Sequence, residues 1–353
     1  MNIESILHEV VELLQSIIRI PSFSKHEDKV SLLLEEYIKK QGIRPQRLGN
    51  NLIIRSERKN KNLPTLLLNS HMDTVQPVSS WSKDPFSPII KEGKLYGLGS
   101  NDAGASLVTM LVSTIHLYDK LDYNLVFCAS AEEEISGKNG ISMVLKHNSN
   151  FDLAIVGEPT NMQPAVAEKG LMVLDCEALG QAGHAARDEG INAIYQALND
   201  LRWFKNYEFK KTSPFLGPVK MNVTQINAGK QHNVIPDTCS FVVDVRGNGC
   251  YSNSELLDII QQNTYSQIQA RSTHLNSSQL PQDHQFYHYL VKSGYQPFGS
   301  PTLSDQALMP FPSIKMGPGD SSRSHTADEF ITIDELRDAL TKYKKILTEY
   351  RFK

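Results

Sequence analysis

The stretch that most limits how this chain can fold is Thr65 to Asp73, TLLLNSHMD, an apolar run that stops abruptly at a histidine followed two places later by an aspartate. The apolar part has no period-two alternation. A strand of that kind must be covered on both faces, as in a parallel sheet flanked by helices. Ligands in such sheets collect beyond the carboxyl ends of the strands, which is where His71 is delivered. Asp73 is its natural orienting partner, because a carboxylate that accepts a hydrogen bond from one imidazole nitrogen leaves the other free for a metal. A lone His-x-Asp is more often a simple strand cap, so the other strand ends must decide.

They repeat the theme. Leu125 to Ser130, LVFCAS, is a second apolar strand and runs into Glu132, Glu133 and Glu134. Three adjacent carboxylates repel one another, and a fold that gathers them beyond a buried strand needs a compensating charge such as a cation. Leu153 to Gly157, LAIVG, is a third strand, ending in Glu158-Pro159-Thr160. Ile314 to Gly317 is a fourth, followed by a Gly, Ser and Asp loop that holds His325. Between the first two lies Leu95 to Ala105, LYGLGSNDAGA, ahead of an apolar helix from Ser106 to Leu117. Its glycines do not have the G-x-G-x-x-G spacing of a dinucleotide site. They are expected to let the backbone turn sharply and aim Asp102, at the start of the helix, into the site.

Around these strands, two amphipathic helices are expected. Ile6, Val10, Leu13, Leu14 and Ile17 share one helical face, as do Val30, Leu33, Leu34, Tyr37 and Ile38. Asn51 to Arg55 reads as a short strand, Lys59 to Leu63 as a polar turn and Pro77 to Pro88 as a loop. From about residue 170 the texture changes: Leu171–Leu179, Lys220–Asn227 and Cys239–Arg246 alternate or are β-branched, and helical stretches at Asn192–Phe204 and Ser254–Gln267 separate them. This reads as an α+β insertion over 170–278 with an antiparallel sheet. Helices at Gln285–Gly294 and Asp334–Tyr350 return the chain to the first domain. The expected class is therefore α/β, with a discontinuous domain (1–169 and 279–353) built on a mixed, largely parallel sheet flanked by helices.

Composition sets only outer bounds. With 353 residues, 40% of them hydrophobic and a formal charge of −3, the chain has ample core, and its scattered basic residues argue against nucleic acid as a partner. Four widely spaced cysteines form no Cys-x-x-Cys pair and read as buried thiols in a reducing cytoplasm. The first residues offer neither a leader pattern nor a membrane span.

Two histidines and three carboxylates, His71, Asp102, Glu134, Glu158 and His325, thus converge. That is too many ligands for one tetrahedral zinc with an open position, but suits two zinc ions sharing one carboxylate. The absence of thiolates favours a catalytic site over a structural one.

In order, SHMDTV, GLGSNDAGA, SAEEEISG, VGEPTN and SHTADEF resemble the successive motifs of the M20 metallopeptidases, in particular the branch of acetylornithine deacetylase and succinyl-diaminopimelate desuccinylase. The resemblance covers nearly the whole chain. It implies a zinc-peptidase domain in which His71 and Glu158 hold one Zn²⁺, Glu134 and His325 the other, and Asp102 bridges, with Co²⁺ as a substitute metal. It makes Glu133 the general acid and base, with Asp73 orienting His71. The insertion would be a lid and dimerisation domain, giving a homodimer. Its Gly183-His184 resembles the lid histidine that reaches the partner's site to stabilise an oxyanion, and Asn233 and Arg246 resemble the residues that hold the substrate's amide and carboxylate. Alone, His184 would pass for a loop histidine and Arg246 for a solvated surface charge. Two departures stand out: Ala185, Ala186 and Arg187 follow the lid histidine, and Ala103-Gly104 lacks a lysine common after the bridging aspartate.

The implied activity is removal of an acetyl or succinyl group from an N-acyl amino acid, with N-acyl-ornithine or N-acyl-citrulline in arginine biosynthesis first, and N-acyl-lysine, N-succinyl-diaminopimelate or a dipeptide next. A serine hydrolase built on Gly319-Asp320-Ser321 lacks a G-x-S-x-G elbow. A catalytically silent metal-binding scaffold is opposed by the presence of Glu133.

Overall fold

In the computed structural model, residues 2–56, 63–148, 150–187 and 189–352 are described. The turn expected over Lys59 to Leu63 falls almost wholly outside them. The chain divides into two compact units: residues 1–166, 280–298 and 304–353 form the first, and 167–279 with 299–303 form the second.

The first unit is built on strands β1 (Gln46–Leu48), β2 (Asn51–Arg55), β3 (Thr65–His71), β4 (Ile89–Lys91), β5 (Lys94–Tyr96), β6 (Asn124–Ser130) and β7 (Leu153–Val156), and β8 (Ala165–Glu168) begins in it and ends in the second. Its main sheet runs β1-β2-β6-β3-β7, then the strand Ser313–Lys315, then β8. The centre is parallel: β3 pairs parallel with both β6 and β7, and Ser313–Lys315 pairs parallel with β7. Antiparallel β2 and β8 flank it. From Leu66 to His71 every residue of β3 is buried, as the missing alternation requires.

Helices supply the cover. Helix α1 (Ile3–Ile18) buries Ile6, Val10, Leu13, Leu14 and Ile17, and the Asn2 side chain caps it by accepting the Glu4 N–H. Helix α2 (Asp28–Lys40) buries Val30, Leu34 and Ile38. Helix α3 (Ala105–Leu117), buried along almost its whole length, packs on β3 and β6 on one side and on α1 and the C-terminal helix on the other. Leu67, Val126, Cys128, Ala154 and Val156 meet Ile141 and Val144 of α4 (Ile141–His147) in a separate cluster.

The second unit contains β9 (Met172–Leu179), β10 (Gly183–His184), α5 (Ala193–Asn206), β11 (Lys220–Ala228), β12 (Val234–Ile235), β13 (Thr238–Arg246), α6 (Asn253–Asn263) and β14 (Gln267–Ala270). β11-β13-β9-β14 is an antiparallel sheet. Leu174, Cys176, Phe241, Val243 and Val245 point from it onto Ala197 and Phe204 of α5 and Leu256 and Ile260 of α6. The helix expected to reach Gln267 stops at Asn263, and the chain becomes strand at Gln267. The cause is Asp200 of α5, whose buried carboxylate accepts the N–H groups of Tyr265 and Ser266 and so draws them off the helical path.

After this unit come α7 (Gln285–Lys292) and the C-terminal α8 (Ile333–Glu349), which carries a full capping box from Thr332 and Glu335.

Candidate active site

Because β3, β6, β7 and Ser313–Lys315 are parallel, their C-terminal ends open on one side of the sheet, and each hands a polar residue to it. His71 is the last residue of β3. Glu133 and Glu134 follow β6, Glu158 follows β7, and the loop after Ser313–Lys315 reaches His325. Asp102 arrives from the turn before α3. It is not at the helix start, as expected, but extended, with φ −118° and ψ 101°, in the turn Ser100–Gly104, and its peptide bond to Ala103 is cis. That turn needs its glycines: Gly99 has φ +74°, and a Cβ on Gly104 would lie 2.4 Å from the Gly99 carbonyl oxygen.

The five expected ligands come together. Asp102 Oδ1 lies 3.3 Å from His71 Nε2, and its Oδ2 lies 3.6 Å from His325 Nε2, so one carboxylate presents an oxygen to each histidine. Glu158 Oε1 is 3.8 Å from His71 Nε2, and Glu134 Oε2 is 3.1 Å from His325 Nε2. Glu133 Oε2 stands 3.9 Å from His71 Nε2. His71 is fully enclosed, whereas His325 has 54% of its side chain exposed.

So many acidic groups in little water distort one another's proton affinities. Burial, reinforced by Asp102, pushes Glu158 up to about 8. Burial and the neighbouring Glu158, Asp305 and Glu134 hold Glu133 well above the usual carboxylate range. Burial by itself would depress His71, yet Glu133, Asp102, Asp73 and Glu158 outweigh it and carry the imidazole well above its ordinary value. The hydrogen bond to Glu134 lifts His325 to about 9. A cluster with this much affinity for protons is suited to hold divalent cations in their place.

The donor set also fits metal on a second count. Glu158 Oε1 is buried and has no hydrogen-bond partner among the described residues, although it faces the cluster. A carboxylate oxygen orphaned in this way is costly unless a cation satisfies it. His71 with Asp102 and Glu134, and His71 with Glu133 and Glu158, each bring three ligand atoms within 4.8 Å of one another.

Asp73 faces His71 with its main chain as well as its carboxylate. His71 Nδ1 lies 2.9 Å from the backbone carbonyl oxygen of Asp73, and the carboxylate is 3.6 Å away, beyond hydrogen-bond range. The carbonyl therefore receives the Nδ1 proton and leaves Nε2 free. The carboxylate instead accepts from Ser24 Oγ at 2.7 Å, Glu133 N–H at 3.0 Å and Glu134 N–H at 3.2 Å. It shapes the acidic turn. Nor do all three glutamates crowd the site: Glu132, at φ +55°, turns away and accepts from the Asn139 side chain and N–H.

Glu27, Asp305 and Glu329 are buried carboxylates that the sequence did not single out. Glu27 accepts the N–H groups of Lys25 and Glu132 and the Asn50 amide. Asp305 accepts from Asn69 Nδ2 and Ser130 Oγ, both at 2.8 Å, and burial raises it to about 6. Glu329 accepts the N–H groups of Gly99, Asn101 and Asp102. Only Glu329 left a trace, inside the SHTADEF motif; Asp305 and Glu27 sit in polar stretches like any loop acid.

In the second unit His184 and Asn233 are neighbours on the β10–β12 ribbon, where the Asn233 carbonyl accepts the Ala185 N–H at 3.0 Å. His184 Nδ1 accepts the Ala186 N–H at 3.1 Å, so the neutral ring carries its proton on Nε2. Arg246 is already engaged, its Nε and Nη2 bonded to the two oxygens of Asp244 at 2.8 and 2.9 Å. The suspected serine site is spent locally: Asp320 accepts the Ser322 N–H and the Asn161 amide.

A parallel sheet whose strand ends pool imidazoles and carboxylates has the donor set of a site for divalent cations. The signature of peptidase family M20/M25/M40 matches residues 67–349. Acetylornithine deacetylase of Proteus mirabilis is 30% identical over 75% of this chain and 74% of its own length. Succinyl-diaminopimelate desuccinylase 2 of a Ruegeria species is 24% identical over 96% of this chain and 94% of its own. Among solved structures, a dinuclear metal-binding M20 peptidase of Bacillus subtilis superposes with a TM-score of 0.74 at 15% identity, covering 98% of each chain. The chain belongs to the M20/M25/M40 peptidase family and is a metal-dependent amide hydrolase.

Proposed function

We propose that this protein removes an acetyl or succinyl group from an N-acyl amino acid, with N-acyl-ornithine or N-acyl-citrulline of arginine biosynthesis as the first candidate. The observation that carries the chemistry is Asp102, whose two oxygens face two histidines while Glu133 stands beside one of them. The acyl-amino-acid choice draws on the likeness to acetylornithine deacetylase. His71 with Glu158 would hold one Zn²⁺, His325 with Glu134 the other, and Asp102 both; Co²⁺ would substitute. Bound there, the two cations supply Lewis acidity to the scissile carbonyl and make a water acidic near neutral pH.

The remaining work falls to the chain. Glu133, with its raised proton affinity, takes the proton of the attacking water on a carboxylate oxygen and returns it to the departing amine nitrogen. Asp73 holds the Glu133 and Glu134 backbone so that these two side chains keep separate roles. By the family resemblance His184 serves the oxyanion and Asn233 the substrate amide. Arg246 would bind a substrate carboxylate through its Nη1–Nη2 edge, since the Nε edge belongs to Asp244. The protein would act as a cytoplasmic homodimer joined through the second unit. Among the described residues, no helix is long and apolar enough to cross a membrane.

The test is a panel of N-acetyl and N-succinyl derivatives of ornithine, citrulline, lysine and diaminopimelate, with dipeptides alongside, assayed on protein loaded with zinc or cobalt. Preferred hydrolysis of an acyl-ornithine or acyl-citrulline supports the proposal. Preference for a dipeptide refutes the substrate class, and inactivity on every amide with metal bound refutes the enzyme reading.

A further inference from the structure

Glu329 is 2% exposed and lies four residues beyond His325, yet among the described residues its carboxylate bonds to the segment that carries Asp102. Its Oε1 accepts the N–H groups of Asn101 at 2.7 Å and Asp102 at 2.9 Å, and its Oε2 accepts the Gly99 N–H at 3.0 Å. Its own carbonyl accepts the Gly97 N–H at 3.0 Å, continuing the antiparallel pairing of Phe330–Thr332 with β5. One residue thus grips four of the six N–H groups between Gly97 and Asp102. The Asn101 side chain returns the contact, bonding the Asp320 main chain and Ser324 Oγ.

The consequence is geometric. Asp102 can offer one oxygen to His71 and the other to His325 only if its backbone is held in an extended conformation, and no helix or strand holds it there. A buried carboxylate that accepts on both oxygens from three N–H groups of the same turn is well placed to do so. We propose that Glu329 is a positioning residue of the metal centre: it locks the bridging carboxylate of Asp102 in register with His325, and the second cation is retained only with that lock in place. This inference rests on the two-metal reading above. Asp328 provides the internal comparison. It sits one residue away and also accepts N–H groups, but those of Ser82 and Lys83, on a loop that carries no ligand.

The experiment is zinc and cobalt titration by calorimetry of wild type, E329Q and D328N, with kcat, KM, the visible spectrum of the cobalt protein and thermal melting recorded on each. A glutamine has one carbonyl oxygen and sets its NH₂ against an N–H group, so it cannot keep all three bonds. The expected result is that E329Q folds, binds one metal as wild type does, binds the second at least about tenfold more weakly, and loses kcat while KM stays within about threefold. D328N should keep both metals. Should E329Q not fold, E329D, which keeps the charge but is a methylene too short to span Gly99 and Asp102, is read by the same titration. Two metals at wild-type affinity and unchanged kcat in a variant that merely melts lower would overturn the proposal. Wild type that binds no second metal would overturn the two-metal reading instead, and this inference with it.

Discussion

The carboxylate of Asp73 accepts the main-chain N–H of Glu133 at 3.0 Å, so a residue two positions beyond His71 acts on the acidic turn 60 positions away. Replacing it by alanine should release that turn while leaving the His71 Nδ1 bond, which ends on a backbone carbonyl, intact. Kinetics of Asp73→Ala should lose roughly 10–100-fold in kcat/KM, the range seen when partners of metal ligands are removed. An unchanged kcat/KM would mean that the turn holds its shape without Asp73.

Glu133 has a separate signature. Glu133→Gln removes a proton carrier but neither histidine, so metal content measured by atomic absorption should stay at wild-type level while kcat falls by about 10²–10⁴. Retained turnover would assign the proton transfer to another group.

Metal binding should release protons. Without metal, Glu158 at about 8 and His325 at about 9 both hold protons at neutral pH, and a cation must displace them. Apparent zinc affinity should therefore rise from pH 6 to 9, with proton release visible in calorimetry across buffers of different ionisation enthalpy. Stability has the opposite sign in the metal-free protein. Both folded-state pKa values lie above their unfolded ones, so the folded state holds more protons and loses stability as pH climbs through 8 and 9. A chelator-treated sample should melt lower at pH 9 than at pH 6, and added zinc should restore the difference by mass action. A zinc affinity independent of pH would contradict this.

Arg246 should act on binding more than on turnover. Arg246→Lys gives up the planar fork and its bond pattern to Asp244. Steady-state assays should find KM raised by about tenfold or more, with kcat changed much less. A loss confined to kcat would remove Arg246 from carboxylate recognition.

Asp305 is a stability prediction. Asp305→Ala strands the Asn69 amide and the Ser130 hydroxyl in the core, at about 1–3 kcal/mol for each group left unsatisfied. Denaturant unfolding should register that loss, and Ser130→Ala in the same background should recover part of it. Additive losses in the double variant would mean that the pair is not coupled.

The sequence by itself determined the parallel, doubly covered character of the central strands, because TLLLNSH, LVFCAS and LAIVG contain no solvent face, and burial on both sides leaves few architectures. It also named the residues at the strand ends, since a polar residue directly after such a run has only one place to go. Tertiary structure decided how those residues divide their labour. Asp73 holds the acidic turn with its carboxylate and the imidazole with its main-chain carbonyl, Glu132 leaves the site, and Arg246 has one edge already committed, because each outcome depends on which donor or acceptor lies within about 3 Å, a distance that the tertiary fold sets. The parts played by Glu27, Asp305 and Glu329 were beyond reach for the same reason. A carboxylate in a loop looks alike whether it faces water or buried donors, and only the folded chain brings the donors to it.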